Sequence, residues 1–207
     1  MRTRQIDTPR GPAEVQITDP AGAAVSLLVI GHGAGGGVNA PDIVRVHDTA
    51  VAAGVRVARV TQPYRVAGRR SPAPANQLDE AWLAVVRELA GERDRTLPLL
   101  VGGRSSGARV ACRTAAELGA AGVLCLAFPL HPPGRPERSR AAELPAALPT
   151  LVVNGDRDPF GVPEPADHIE VAARPGATHD LRKDLAGTAA VVLDWLRRHG
   201  WADPPPV

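Results

Sequence analysis

The chain has 207 residues, 44 % hydrophobic and 22 % charged, with a formal net charge of +2. That length supports one sizeable core, while ordinary globular usage and scattered basic residues exclude disordered, collagen-like and nucleic-acid-binding classes. Aromatic residues make up only 3 %, so the core must come from Val, Leu, Ala and Ile, as in a parallel sheet covered by helices.

Met1 to Gly11 is polar, and no run approaches the roughly 18 apolar residues of a membrane span. A cytoplasmic protein without a membrane partner is expected. Val15 to Thr18 alternates and stops at Asp19-Pro20-Ala21-Gly22, which reads as a strand and a turn. Val25 to Ile30 is a stronger strand, opening into the glycine-rich run Gly31 to Gly37. Asn39 can cap the next helix, in which Ile43, Val46, Ala50 and Val51 share a face until Gly54. Val55 to Val60 is a third strand, and a basic, proline-rich loop follows from Gln62 to Pro74. Leu78, Trp82, Val85 and Leu89 recur at helical spacing before Gly91.

Leu97 to Val101 reads as a buried strand leading through Gly102 to Gly107 into a helix stopped at Gly119. Val123 to Phe128 is the next strand, and Pro129 to Pro149 is a surface excursion with one helical turn, too short for a cap domain. Leu151 to Asn154 and the weaker His168 to Ala172 are strands. Leu185, Ala189, Val192 and Leu196 mark the last helix. Cys112 and Cys125 sit in apolar runs, so two buried free thiols are expected, and neither has metal-ligand spacing. The alternation predicts an α/β fold over 1–207 as a single domain, with 1–13 and 202–207 as frayed tails. The sheet is mostly parallel and doubly wound, with helices on both faces and chemistry at the carboxyl ends of its strands.

Those ends carry a recognisable set. Gly103-Arg104-Ser105-Ser106-Gly107 fits G-x-S-x-G between a strand and a helix. The turn holds a serine in a tight backbone conformation and needs glycine or a very small residue two positions before and two after it, which makes Ser105 the candidate nucleophile and the Ser106 amide an oxyanion donor. The shifted register fails, because Ser106 would need glycine where Arg104 stands. A serine hydroxyl needs a base held by an acid. His179 precedes the last helix, and Asp158 follows the Leu151 to Asn154 strand, giving the chain order Ser, Asp, His. Asp156 competes with Asp158 from the same turn; Asp158 is favoured because it reaches further, with Pro159 fixing the turn behind it.

Gly31 to Gly36 supplies the second oxyanion donor near Ala34 or Gly35, with His32 bracing the loop. The same run satisfies G-x-G-x-x-G, a dinucleotide fingerprint, but Val60-Thr61-Gln62-Pro63 lacks the acidic residue that reading needs. No cofactor and no metal are expected. Tyr64, Phe128, His131 and Phe160 are candidate substrate walls, and Arg69 and Arg70 could bind an acidic substrate group.

With these residues placed, the sequence resembles the α/β-hydrolase superfamily, near dienelactone hydrolases and especially the KANL3/Tex30-like branch. The likeness runs from about Val25 to Leu196, carried by Gly31 to Gly36, Pro63-Tyr64 to Arg69-Arg70, Gly102 to Arg109, and Asn154 to Gly161. The resemblance implies a minimal α/β-hydrolase fold and Ser105, Asp158 and His179 as a triad. Dienelactone hydrolases carry cysteine at the elbow, so their substrate does not transfer. The expected activity is hydrolysis of a small acyl substrate such as an ester through an acyl-enzyme; the alternative is a non-catalytic binding protein on the same fold.

Overall fold

The alternating apolar runs assemble, in a computed structural model that describes residues 1–94 and 96–205, into one eight-stranded sheet. The strands are β1 (Arg2–Ile6), β2 (Ala13–Thr18), β3 (Ser26–Gly31), β4 (Val55–Thr61), β5 (Leu99–Arg104), β6 (Gly122–Leu126), β7 (Thr150–Gly155) and β8 (Ile169–Arg174). The helices are α1 (Pro41–Ala52), α2 (Pro63–Val66), α3 (Ala75–Gly91), α4 (Ser106–Thr114) and α5 (Leu185–Arg198). Strand order is β1-β2-β4-β3-β5-β6-β7-β8; β1, β2 and β4 pair antiparallel and the rest run parallel.

Successive side chains of a strand point to opposite faces, and the core divides accordingly. Leu27, Val29, Val101, Val123 and Val152 pack with Leu78, Trp82 and Val85 of α3 and Val110 and Ala111 of α4. Leu28, Ile30, Leu100, Leu124 and Val153 pack on the other face with Ile43 and Val46 of α1 and Val192, Trp195 and Leu196 of α5. Burying a Val or Leu side chain stabilises by roughly 1.5–3 kcal/mol, so both faces contribute heavily. Among the described residues no helix is long and apolar enough to cross a membrane.

Strand order reverses direction at β3 and β5, whose ends lie side by side with Gly31 opposite Gly103. Such a switch point opens a crevice beyond the carboxyl ends. It brings the glycine run after β3 against the turn after β5.

Several expectations are corrected. Residues 1–13 are not a frayed tail, because Arg2–Ile6 pairs with β2 and Ile6 is buried. Trp201 and Ala202 are buried and Asp203 N–H donates to the Ala53 carbonyl at 2.8 Å, so the C-terminal segment is docked; Pro206 and Val207 lie outside the described residues. Asn39 does not cap α1, which begins at Pro41 after Ala40 without a side-chain cap. Proline at N1 removes one of the amides that a helix start leaves without a partner. The Gln62 to Pro74 loop contains the short helix α2, and α4 stops at Thr114, a turn carrying the chain on to Gly119.

The excursion from Pro129 to Pro149 lies against the body of the protein. Leu130, Leu144 and Leu148 pack on the α3/α4 side of the core. Glu143, in a 3-10 turn, takes both Arg109 (2.7 and 2.5 Å) and Arg113 (3.0 Å) of α4, and Arg113 also pairs with Asp79 of α3 at 2.6 Å. No part of the described chain forms a separate cap over the sheet.

Candidate active site

β5 runs straight into α4 with a single residue at the corner, and that residue is Ser105, at φ 52° and ψ −111°. A non-glycine residue there is strained and persists only where its surroundings force it. Two glycines make the corner possible. A Cβ on Gly103 would collide with the backbone of Gly107, and one on Gly107 would stand 2.7 Å from the His32 carbonyl oxygen. The turn therefore presents the Ser105 side chain above the sheet at the first turn of α4.

The candidate base and acid converge there from distant loops. His179 Nδ1 lies 2.8 Å from Asp158 Oδ2, and His179 Nε2 lies 2.9 Å from Ser105 Oγ. A carboxylate only accepts, so Nδ1 carries the proton, and Nε2 is left to accept the Ser105 hydroxyl. The Asp158 side chain is fully buried, and its Oδ1 accepts from Phe160 N–H at 2.9 Å. Asp156, the competing acid, instead accepts from Gly176 N–H at 2.7 Å and braces the histidine loop. The two aspartates of one turn thus divide between the imidazole and the loop that carries it.

Three supports were not singled out in the sequence reading. Asn154, fully buried at the end of β7, receives Phe128 N–H and donates to the Phe128 and Gly161 carbonyls, fixing the turn that bears Asp158. Asp42 and Arg104 form a partly buried ion pair at 3.1 Å, and Arg104 also donates to the His179 carbonyl at 3.0 Å. Burial pushes the Asp42 carboxyl above its ordinary range despite the adjacent guanidinium of Arg104. An acid just after a proline at a helix start was the one signal for Asp42 in the sequence.

The glycine loop is braced as expected. His32 Nε2 accepts Gln62 N–H at 3.1 Å, which puts the ring proton on Nδ1, where it donates to the Gly33 carbonyl at 2.8 Å. Gly36 N–H closes a turn onto that same carbonyl at 3.2 Å, with Ala34 and Gly35 at its tip. Tyr64 donates its hydroxyl to the Ala34 carbonyl at 3.0 Å. The Ser106 amide opens α4, where helix geometry supplies no acceptor.

Burial lowers the His32 pKa below its ordinary value of 6.5, against the ring's hydrogen bond to the Gly33 carbonyl, which raises it. The unfolded chain takes up a proton near that ordinary value and the folded protein resists, so this contribution to stability is complete above it and is lost as the pH falls. We expect the melting temperature to decline as pH falls below 6.5, and the decline to shrink in His32→Asn, which keeps a donor for Gly33 but does not titrate. Identical pH slopes in melts of the two proteins would remove His32 from this role.

The remaining candidates fall in different places. Phe160 stands against the imidazole of His179, ring centroids 4.3 Å apart. Phe128 is corrected: it is fully buried and cannot be a substrate wall. His131 packs against Gly161, its backbone N–H donates to the Phe160 carbonyl at 2.9 Å, and its Nδ1 bonds the Pro132 carbonyl. Arg69 borders a small cavity of about 110 Å³ with Tyr64 and Gln77, and Arg70 is exposed. His47 is buried between Asp48 and Thr18. A larger cavity of about 470 Å³ lies between the glycine loop, α1 and the histidine loop, lined by Gly35, Asn39, Asp42, Arg104, Asp180 and Arg182 among others; it includes the chain neighbours of Ser105 and His179 but neither of those residues. Towards α3, Tyr64, Leu78, Trp82 and Val110 leave a void of only about 10 Å³ beside Ser106.

Residues 24–184 match the model of a family described as an alpha/beta hydrolase domain. No curated protein matches the sequence. Among solved structures, the chain is similar to a lidless α/β serine hydrolase from Xanthomonas campestris, at 22 % identity and TM-score 0.79 over 99 % of this chain and 96 % of the other. An α/β serine hydrolase homologue from Coxiella burnetii is similar at 22 % identity and TM-score 0.77, over 93 % and 96 %. A dienelactone hydrolase from Anabaena variabilis is similar at 19 % identity and TM-score 0.74, over 95 % and 96 %. At these identities the likenesses concern the fold.

Proposed function

The chain belongs to the α/β-hydrolase domain family, and from that premise we propose that it is a serine hydrolase that cleaves a small acyl substrate, an ester or a related bond. The reading rests on one observation, the continuous hydrogen-bond relay from Ser105 Oγ through the His179 imidazole to the buried Asp158 carboxylate. His179 accepts the hydroxyl proton as Ser105 Oγ attacks the substrate carbonyl carbon. Charge develops on the carbonyl oxygen, where the amides of Ser106 and of Ala34 or Gly35 receive it; one such donor is worth roughly 10²- to 10³-fold in turnover. The imidazolium, steadied by Asp158, returns the proton to the leaving group. Water then enters, gives a proton to His179 and releases the acyl group from Ser105.

Substrate size follows from the space. The void of about 10 Å³ towards α3 has no room for a long acyl chain, and the 470 Å³ cavity has a mixed lining in which Asp42, Arg104, Asp180 and Arg182 alternate with glycine and alanine. These dimensions favour a small substrate over a long-chain one. Phe160 forms one wall beside the base, and Arg69 and Arg70 are available to an acidic group at the rim. Within the family, the Gly102 to Arg109 and Asn154 to Gly161 segments favour the KANL3/Tex30-like branch. We further infer a cytoplasmic protein, in which Cys112 and Cys125, buried in apolar surroundings, stay as thiols.

A fluorophosphonate probe tests the reading. It labels Ser105 in the wild type, and Ser105→Ala abolishes both labelling and p-nitrophenyl acetate hydrolysis. A folded wild type that is neither labelled nor active is a binding protein on a hydrolase fold.

A further inference from the structure

The relay needs a fixed distance between Ser105 and His179, yet His179 rides on a loop. Its ring is held by Asp158; its backbone is held by a different side chain. Arg104 donates through one terminal nitrogen to the His179 carbonyl oxygen at 3.0 Å and through Nε to Asp42 Oδ2 at 3.1 Å. Asp42 is itself fixed, because Oδ1 accepts Ile43 N–H at 3.0 Å and its side chain is 1 % exposed. Arg104 immediately precedes Ser105. One planar group therefore ties the strand end that delivers the hydroxyl to the loop that delivers the imidazole, with α1 as the anchor.

We propose that Arg104, oriented by Asp42, is a positioning residue that sets the reach between the Ser105 hydroxyl and the His179 imidazole; this rests on the serine-hydrolase reading above. A plain ion pair tying α1 to the sheet would need only opposite charges at 42 and 104. Positioning needs the guanidinium fork, which bonds two groups at once in fixed directions, and lysine cannot reproduce that. Arg104→Lys keeps the charge facing Asp42 and loses the second bond. A misplacement of about 1 Å can cost about 10²-fold in rate.

The test measures kcat and KM on p-nitrophenyl acetate, the rate of fluorophosphonate labelling and the thermal melt for wild type, Arg104→Lys, Asp42→Asn and the double variant. We expect Arg104→Lys to lower kcat and labelling rate by roughly 10- to 100-fold at unchanged KM. Asp42→Asn should give part of the same loss, and the double variant should be no worse than the poorer single one, as for residues acting as a unit. A folded Arg104→Lys with kcat within twofold of wild type overturns the proposal, as does a loss confined to KM, which would make Arg104 a substrate-binding group. Should Arg104→Lys fail to fold, a folded Asp42→Asn with unchanged kcat overturns it. An inert wild type instead overturns the serine-hydrolase reading, and this proposal with it.

Discussion

Asp158→Asn is expected to lower kcat by roughly 10⁴-fold while the protein stays folded, the magnitude seen when the acid of such a relay becomes an amide. The local hydrogen bonds dictate the direction. Asp158 Oδ1 accepts Phe160 N–H, and Oδ2 faces His179 Nδ1. In the asparagine, the oxygen stays with the Phe160 amide and the NH₂ turns towards the ring. Nδ1 must then accept, the ring proton moves to Nε2, and Nε2 can no longer take a proton from Ser105. Asp156→Asn is the control: its carbonyl can still receive Gly176 N–H, and activity should stay within a few-fold. Steady-state kinetics with melts of both variants decide it. A loss under tenfold in a folded Asp158→Asn would show that the acid does not set the tautomer of the base.

Gly107→Ala is expected to cost about 3 kcal/mol, at the upper end of ordinary overpacking, and to lower the melting temperature by roughly 6–12 °C for a domain of this size. The added methyl would meet the His32 carbonyl oxygen at 2.7 Å and the Gly31 carbonyl carbon at 2.8 Å. Both are backbone of the adjoining strand end, with no rotamer to yield. Relief requires α4 to move off the sheet, which displaces Ser105 and the Ser106 amide together, so hydrolysis is lost beyond what stability explains. Gly36→Ala is the comparison, since a Cβ there meets nothing within 4 Å and should change the melt little. Equal melting temperatures for the two variants would mean the elbow tolerates a side chain at 107.

What the sequence made legible was local. The Ser105 corner could be read because steric rules for a one-residue strand-to-helix turn demand glycine at 103 and 107, and Asp158 because it lies just past a strand in a proline-fixed turn. β1 escaped because only Ile6 of that edge strand is buried, too little apolar signal for a pattern. Phe128 was misplaced because Ala127 adopts φ 51°, which turns the next side chain into the core instead of over it. The Arg104 bridge joins residues 62 and 75 positions distant in sequence. Such partners are chosen by folding, and no spacing rule anticipates them.

The excursion pinned by Glu143 to Arg109 and Arg113 has a consequence for the fate of an acylated serine. A segment held by two arginines of the very helix that starts beside Ser105 lies on the body of the protein and forms no cap over the site. A site that does not close keeps water within reach of the acyl-enzyme. On the proposed chemistry, the open surface itself selects release to water over transfer to another acceptor.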